Sequence, residues 1–181
     1  VELEIVNTAE RSENDRLREV LEIATQYFVQ NLKDKSTATH YLLGRGLTQE
    51  TIDTWKLGYA PNEWRALSTY LRSKKVSDAE MVKVGLTKVS DKAREDGMYD
   101  VFRGRIIFPI FDTSGRVIAF SGRIFDEVPE APKYLNSPET TLFVKSETLY
   151  GFNHAKTSIR KRDYTILVEG QMDLLMCHQA G

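Results

Sequence analysis

Leu17, Val20, Leu21, Ala24, Tyr27, Phe28 and Leu32 recur three and four residues apart, the spacing of one helix face. The pattern predicts a core-facing helix over 14–32 whose other face is acidic and polar. Ser36 or Thr37 is placed to cap a second short helix through Tyr41, Leu42 and Leu43, which Gly44 and Gly46 would end. Thr48 opens a third, running to about Trp55 and closing near Gly58. Trp64, Leu67 and Leu71 suggest a fourth, with Arg72, Lys74 and Lys75 at its C-terminal end, where cations suit the helix dipole. Ser77-Asp78-Ala79-Glu80 has capping-box spacing and starts a fifth, which Gly85 ends. The charged, turn-rich stretch from Lys88 to Asp100 reads as a loop.

Beyond it the period changes from helical to that of strands. Ile106 to Phe111 and Arg116 to Phe125 are β-branched and aromatic runs on either side of Asp112-Thr113-Ser114-Gly115, which predicts a β-hairpin with Gly115 as its left-handed residue. Pro109 cannot donate to a ladder, so it places its strand at an edge or a bulge. A polar helix through Ala155 and Ile159 ends in Arg160-Lys161-Arg162. Tyr164 to Val168 then reads as a short strand, followed by Glu169-Gly170-Gln171-Met172-Asp173 and the helical Leu174, Leu175 and Met176. Strand, tight turn and helix make the opening of a βαβ unit. Ligands in such sheets bind beyond the carboxyl ends of the strands, where Glu169 stands, and Asp173 follows one helical turn later.

Charge sharpens this picture. With 25 Lys and Arg against 26 Asp and Glu the chain is near neutral, so any binding of a polyanion has to be local. Arg103, Arg105, Arg116 and Arg123 face a single acid, Asp112, across 101–125, whereas the first 22 residues are predominantly acidic. Guanidinium groups on a rigid hairpin match phosphate oxygens in geometry as well as charge, and an ordinary solvated surface has the same appearance. Glu169 and Asp173 can together hold a divalent cation on phosphate oxygens, and an acid at a helix start is equally consistent with a dipole contact alone. One cysteine, Cys177, excludes an internal disulfide and a multi-cysteine zinc site and reads as a small core residue. His40, His154 and His178 have no metal-ligand spacing. No segment reads as a signal or a membrane span, which points to a cytoplasmic protein. The chain opens without methionine and stops at Gly181 after an apolar helical run, so it is read as a piece of a longer protein.

Three motifs carry a resemblance. Phe102-Arg103-Gly104-Arg105-Ile106-Ile107-Phe108-Pro109-Ile110, the pair Gly122-Arg123, and above all Pro132-Lys133-Tyr134-Leu135-Asn136-Ser137-Pro138-Glu139-Thr140 resemble the catalytic core of bacterial DNA primases of the DnaG type. His40-Tyr41-Leu42-Leu43-Gly44-Arg45-Gly46-Leu47 is similar to the opening of that core. Glu169-Gly170-x-x-Asp173 looks like the first acidic motif of a Toprim domain. The likeness covers roughly residue 15 to the end, with two departures: Ser121 stands where a second glycine is usual and Gln171 where an aromatic residue is common.

The resemblance implies an α+β fold, with a mixed helical and β N-terminal subdomain over 1–145 and the first βα element of a Toprim domain over 146–181. It implies part of a DNA-dependent RNA polymerase that makes short RNA primers on single-stranded DNA. Glu169 and Asp173 would be catalytic and hold Mg2+ or Mn2+, with Zn2+ only in a domain preceding this chain. Arg45, Arg103, Arg105, Arg123, Lys133, Asn136 and Lys145 would bind template or ribonucleoside triphosphate, Arg103 and Arg105 being open to a structural role instead. A replicative helicase would be met through a domain beyond the chain. The 181 residues alone are expected to make no primer. Two other readings are a Toprim nuclease or topoisomerase, which would not need the Pro-Lys-Tyr-Leu-Asn-Ser-Pro-Glu-Thr loop, and a non-catalytic single-strand-binding module.

Overall fold

The computed structural model describes residues 8–89, 97–126 and 131–181. The predicted first helix is α1, Thr8–Asp34, longer than its apolar stripe because acidic and polar residues extend it at the N-terminal end. It buries Leu17, Val20, Leu21, Ala24, Phe28 and Leu32. Next come α2 (Ser36–Gly44) and α3 (Gln49–Thr54), then a three-residue strand β1 (Gly58–Ala60) that the sequence pattern did not reveal. Thr48 caps α3 by accepting from the Thr51 amide, as predicted. Neither Ser36 nor Thr37 caps α2, because its N-cap is Lys35 and Ser36 is already inside the helix.

Helices α4 (Ala66–Ser73) and α5 (Asp78–Lys83) follow. The capping box on α5 is complete in both directions, and these hydrogen bonds to Ser77, with Arg16 behind them, hold the Glu80 carboxyl down at about 2. Trp64, predicted inside the fourth helix, lies before it and is exposed. The stretch read as a loop from Lys88 to Asp100 has paired ends: β2 (Thr87–Val89) and β3 (Met98–Asp100) form a two-stranded ribbon, and 90–96 lie outside the described residues. Three-residue strands are too short to show an alternation, and their partners alone define them.

The hairpin is β4 (Arg105–Phe111) and β5 (Val117–Ile124). Its turn is tied by Asp112 Oδ1, which accepts from the amides of Ser114 (2.8 Å) and Arg116 (3.0 Å), and Gly115 takes φ +85°. With β1 and β6 (Tyr134–Asn136) it makes an antiparallel sheet of order β1-β4-β5-β6. The edge expected from Pro109 is not found, since β4 is an inner strand; Pro109 is accommodated because β1 reaches only to Ile107, so that side of the strand has no ladder to break, and the register shifts just after, between Ile110 and Phe111.

Alternation along these strands divides the core. Ile107, Phe111 and Phe120 pack under α1 with Leu67, Leu71 and Met81 of α4 and α5. On the opposite face Tyr59, Ile106 and Phe108 meet Leu42, Ile52 and Trp55 and, from the end of the chain, Met172 and Leu175. These last two belong to α7 (Gln171–Ala180), preceded by a 3-10 turn (Lys145–Glu147) and α6 (Phe152–Arg162). The segment after residue 145 is therefore ordered by docking on the first part of the molecule. Leu175 is fully buried, so its docking stabilises by about 1.5–3 kcal/mol.

The predicted strand from Tyr164 to Val168 does not form. No strand among the described residues pairs with it, and a strand without a partner leaves its backbone to solvent; Ile166 and Leu167 are 75% and 72% exposed. Cys177, predicted in the core, is exposed on α7. Among the described residues no helix is long and apolar enough to cross a membrane.

Candidate functional site

Strand β5 runs through Ser121-Gly122-Arg123 to its end at Ile124, and its partner β6 sets Asn136 opposite Ser121 and Tyr134 opposite Arg123. Directly opposed residues of an antiparallel pair share a face, so this end of the sheet presents a serine, an asparagine, an arginine and a tyrosine together. Arg123 donates to the Tyr134 hydroxyl (3.1 Å), and its guanidinium lies 5.7 Å from the ring centres of both Tyr134 and Tyr41. The loop after β6 is locked to β5 by fully buried Ser137, whose amide donates to the Phe120 carbonyl (2.9 Å) and whose Oγ accepts from the Phe120 amide (3.0 Å). Glu139 then accepts from the Lys145 amide at 3.1 Å, leaving the lysine side chain exposed. Lys133, also exposed, enters β6 with its carbonyl accepting from the Ile124 amide (2.9 Å).

Three of the predicted binding residues converge. Arg103, Asn136 and Lys145 line one cavity of about 370 Å³ together with Lys88 and Tyr99. Arg103 stands 4.1 Å from the Trp64 ring centre and 5.4 Å from that of Tyr99, and donates to the Asp100 carbonyl; burial, first of all, lowers its pKa. Asp100 is itself buried, accepting from the amides of Leu67 (2.8 Å) and Ser68 (3.1 Å) at the start of α4. Burial raises its carboxyl against the pull of those bonds. Lys88, Trp64 and Tyr99 were not legible as site residues, because they lie far apart in sequence on short elements and share no spacing.

Arg105 is among the four predicted residues that do not line this cavity. It lies on the inward face of β4 with Ile107, is only 4% exposed, and donates to the Gly122 carbonyl (3.0 Å), so the expected phosphate contact is replaced by a structural one. Burial and then Arg103 lower its pKa. Arg45 is exposed on the turn after α2, apart from that cavity, and the turn is held from α7: Gln179 donates to the Gly46 carbonyl (2.8 Å) and accepts from the Thr48 amide (2.8 Å) and the Thr51 hydroxyl (2.7 Å).

The acidic pair sits at the other end of α7. Glu169 precedes the helix and Asp173 lies in its first turn, both exposed. The Asp173 carboxylate folds back over Gly170: a Cβ there would lie 2.6 Å from Oδ2, so only glycine leaves it that position. At this helix start Gln171 Nε2 donates to Ser121 Oγ (3.0 Å), bringing the acids to the end of β5 that carries Arg123 and faces Asn136. Two carboxylates offer the hard oxygen donors that Mg2+ or Mn2+ takes, with phosphate oxygens and water completing the shell. Among the described residues no group of three or more His, Cys, Asp or Glu could close a metal site without such help.

Residues 27–156 match the family model of the DNA primase catalytic core, N-terminal domain. The chain belongs to the bacterial DnaG-type primase family. A DNA primase of Clostridium acetobutylicum is 44% identical over 168 residues, covering 92% of this chain and 27% of the relative. The RNA polymerase domain of Mycobacterium tuberculosis primase DnaG superposes with a TM-score of 0.83 at 30% identity, covering 92% of this chain and 53% of that one. A DnaG primase catalytic domain bound to single-stranded DNA gives 0.78 at 32% identity, covering 91% and 52%. The chain thus spans about a quarter of the length of its curated primase relative and about half of the solved cores. The matched primase region holds Arg45, Arg103, Arg123, Lys133, Asn136 and Lys145 and ends before Glu169 and Asp173.

Proposed function

We propose that residues 1–145 form the N-terminal subdomain of a primase core and 146–181 the opening of a Toprim domain, in a polymerase that lays short RNA primers on single-stranded DNA. The observation that carries this reading is the convergence of Arg103, Asn136 and Lys145 on one cavity, with Asn136 opposite the serine on which the acid-bearing helix docks. A DnaG catalytic domain of similar fold binds single-stranded DNA, which supports the same template here.

Arg45, Arg103, Arg123, Lys133 and Lys145 neutralise phosphates of the template or of an incoming ribonucleoside triphosphate, and Asn136 supplies a directional hydrogen bond. Glu169 and Asp173 would hold a divalent cation, Mg2+ or Mn2+, with Glu169 acting as ligand or as the base for the attacking hydroxyl. The chemistry such a cation would supply is a lowered pKa for that hydroxyl and neutralisation of charge on the phosphates. The 3′ oxygen bonds to the α-phosphorus as the bond to pyrophosphate breaks. The hydroxyl proton leaves to Glu169 or to water. Two carboxylates supply part of the arrangement that a phosphoryl transfer needs, so the 181 residues alone are expected to make no primer. A replicative helicase would contact the protein outside these residues.

Binding can be tested on the chain itself. With about three or four phosphate contacts at roughly −0.7 each, single-stranded DNA affinity falls with salt on a log–log slope of about −2 to −3. Replacing Lys133 and Lys145 together by alanine flattens that slope by about 1.4, whereas replacing Lys74 and Lys75 leaves it unchanged. Equal effects from both pairs would show diffuse binding and refute the groove.

A further inference from the structure

Helix α7 has three anchors of different kinds. Met172 and Leu175 are buried among Trp55, Leu57 and Phe108, contacts that resist separation but tolerate a small roll or slide. Gln179 fastens the C-terminal end to the turn between α2 and α3 through three hydrogen bonds. At the N-terminal end, where the acids are, the chain arrives from 164–168, exposed and without a ladder partner among the described residues. The strand that would ordinarily fix such a corner contributes nothing to its orientation. Besides buried Met172, what ties the first turn is Gln171, whose amide makes its hydrogen bond to fully buried Ser121 in the middle of the β4-β5-β6 pairing.

We propose that Gln171 and Ser121 are positioning residues for Glu169 and Asp173: their hydrogen bond sets the rotation of the first turn of α7, and with it the direction of both carboxylates. The inference rests on the primase reading of those acids. Glu169 and Asp173 flank Gln171 by two residues on either side, so a roll of the first turn carries both. Asp173 lies in that first turn, with its carboxylate beside Gly170. Ser121, by contrast, cannot follow the helix, being held in a ladder on both sides. A misplacement of about 1 Å costs a reaction about 100-fold in rate, far more than the loss of one partly buried hydrogen bond costs the fold.

The test uses the full-length enzyme carrying Gln171→Met, Ser121→Ala, both together, Gln179→Met as a control at the far end, and Glu169→Gln. Four quantities are read: kcat for primer synthesis, template affinity, Mn2+ binding by electron paramagnetic resonance without nucleotide, and the thermal midpoint. Gln171→Met and Ser121→Ala are each expected to lower kcat by about 10- to 100-fold and to weaken Mn2+ binding several-fold, with template affinity unchanged. The double variant is expected to be no worse than either single one, because one bond is lost in all three. Gln179→Met gives up three bonds, lowers the thermal midpoint more, and leaves Mn2+ binding unchanged. If Glu169→Gln abolishes synthesis while Gln171→Met and Ser121→Ala keep wild-type kcat and Mn2+ affinity, the positioning role is refuted and the primase reading stands. If Gln179→Met weakens Mn2+ binding as much as Gln171→Met, the effect is general docking and the specific role is refuted. Glu169→Gln with near-normal synthesis overturns both.

Discussion

The β4–β5 hairpin, which with β6 sets Arg123 and Asn136, and the segment from residue 146 onward, which bears Glu169 and Asp173, are held in opposite ways. The hairpin is paired along its length, has β1 on one side and β6 on the other, and is covered on both faces by buried side chains. The later segment has an exposed apolar stretch at 164–168, and its α7 is fixed by two core residues and two glutamines. Arg123 and Asn136 therefore stand on a frame that many contacts determine, and Glu169 and Asp173 on one that few do. Damage to the first should unfold the molecule; damage to the second should misalign it.

The largest expected effect breaks that contrast if it fails. Phe108→Ala, in the fully buried middle of β4, should destabilise by about 3–5 kcal/mol, while Ile166→Ser should leave the unfolding free energy of the 181-residue chain within about 0.5 kcal/mol of wild type. Chemical denaturation of both variants measures this, and a comparable loss from Ile166→Ser would mean that 164–168 is part of the cooperative core.

Next in size is Asp100→Ala. It strands the amides of Leu67 and Ser68 at the buried start of α4, beside the carbonyl that holds Arg103, and should cost about 1–3 kcal/mol. The same variant should weaken single-stranded DNA binding several-fold at low salt, through Arg103, in a fluorescence anisotropy titration.

The smallest effect is a pH dependence at α5. Glu80 has its carboxyl depressed from 4.5 to about 2 by Ser77 and then Arg16, so its contribution is fully present above about 4.5 and lost as pH falls towards 2. The glutamate is solvent-accessible, so screening keeps the contribution modest. Glu80→Gln should lower the thermal midpoint by about 1–3 °C at pH 5 and at pH 7 and by less at pH 2.5, so that the drop on acidification is smaller than in the wild type.

What the sequence disclosed follows the same division. Local rules found the Thr48 cap, the Ser77–Glu80 box and the Gly115 turn, because each is complete within four or five residues. β1 and β6, three residues each, exist only through their partners and left no periodic trace. Tyr164 to Val168 has the composition of a strand and no partner to make it one. Arg105 looked like Arg103 because nothing local says that β4 begins at Arg105 and is buried on both faces, leaving Arg103 outside the strand. Ser121 and Gln171, the two departures from the primase pattern, meet each other across 50 positions, a relation that only the fold supplies.

The division of labour between basic frame and acidic helix is tested most directly by Glu169→Gln in the full-length protein, assayed for primer synthesis and for template binding on the same preparation. Removing the charge takes a donor from the cation site and nothing from the cavity of Arg103, Asn136 and Lys145. Synthesis should be abolished, with single-stranded DNA affinity and its salt slope unchanged. Near-normal synthesis would contradict the account and return Glu169 to a plain acid at a helix start.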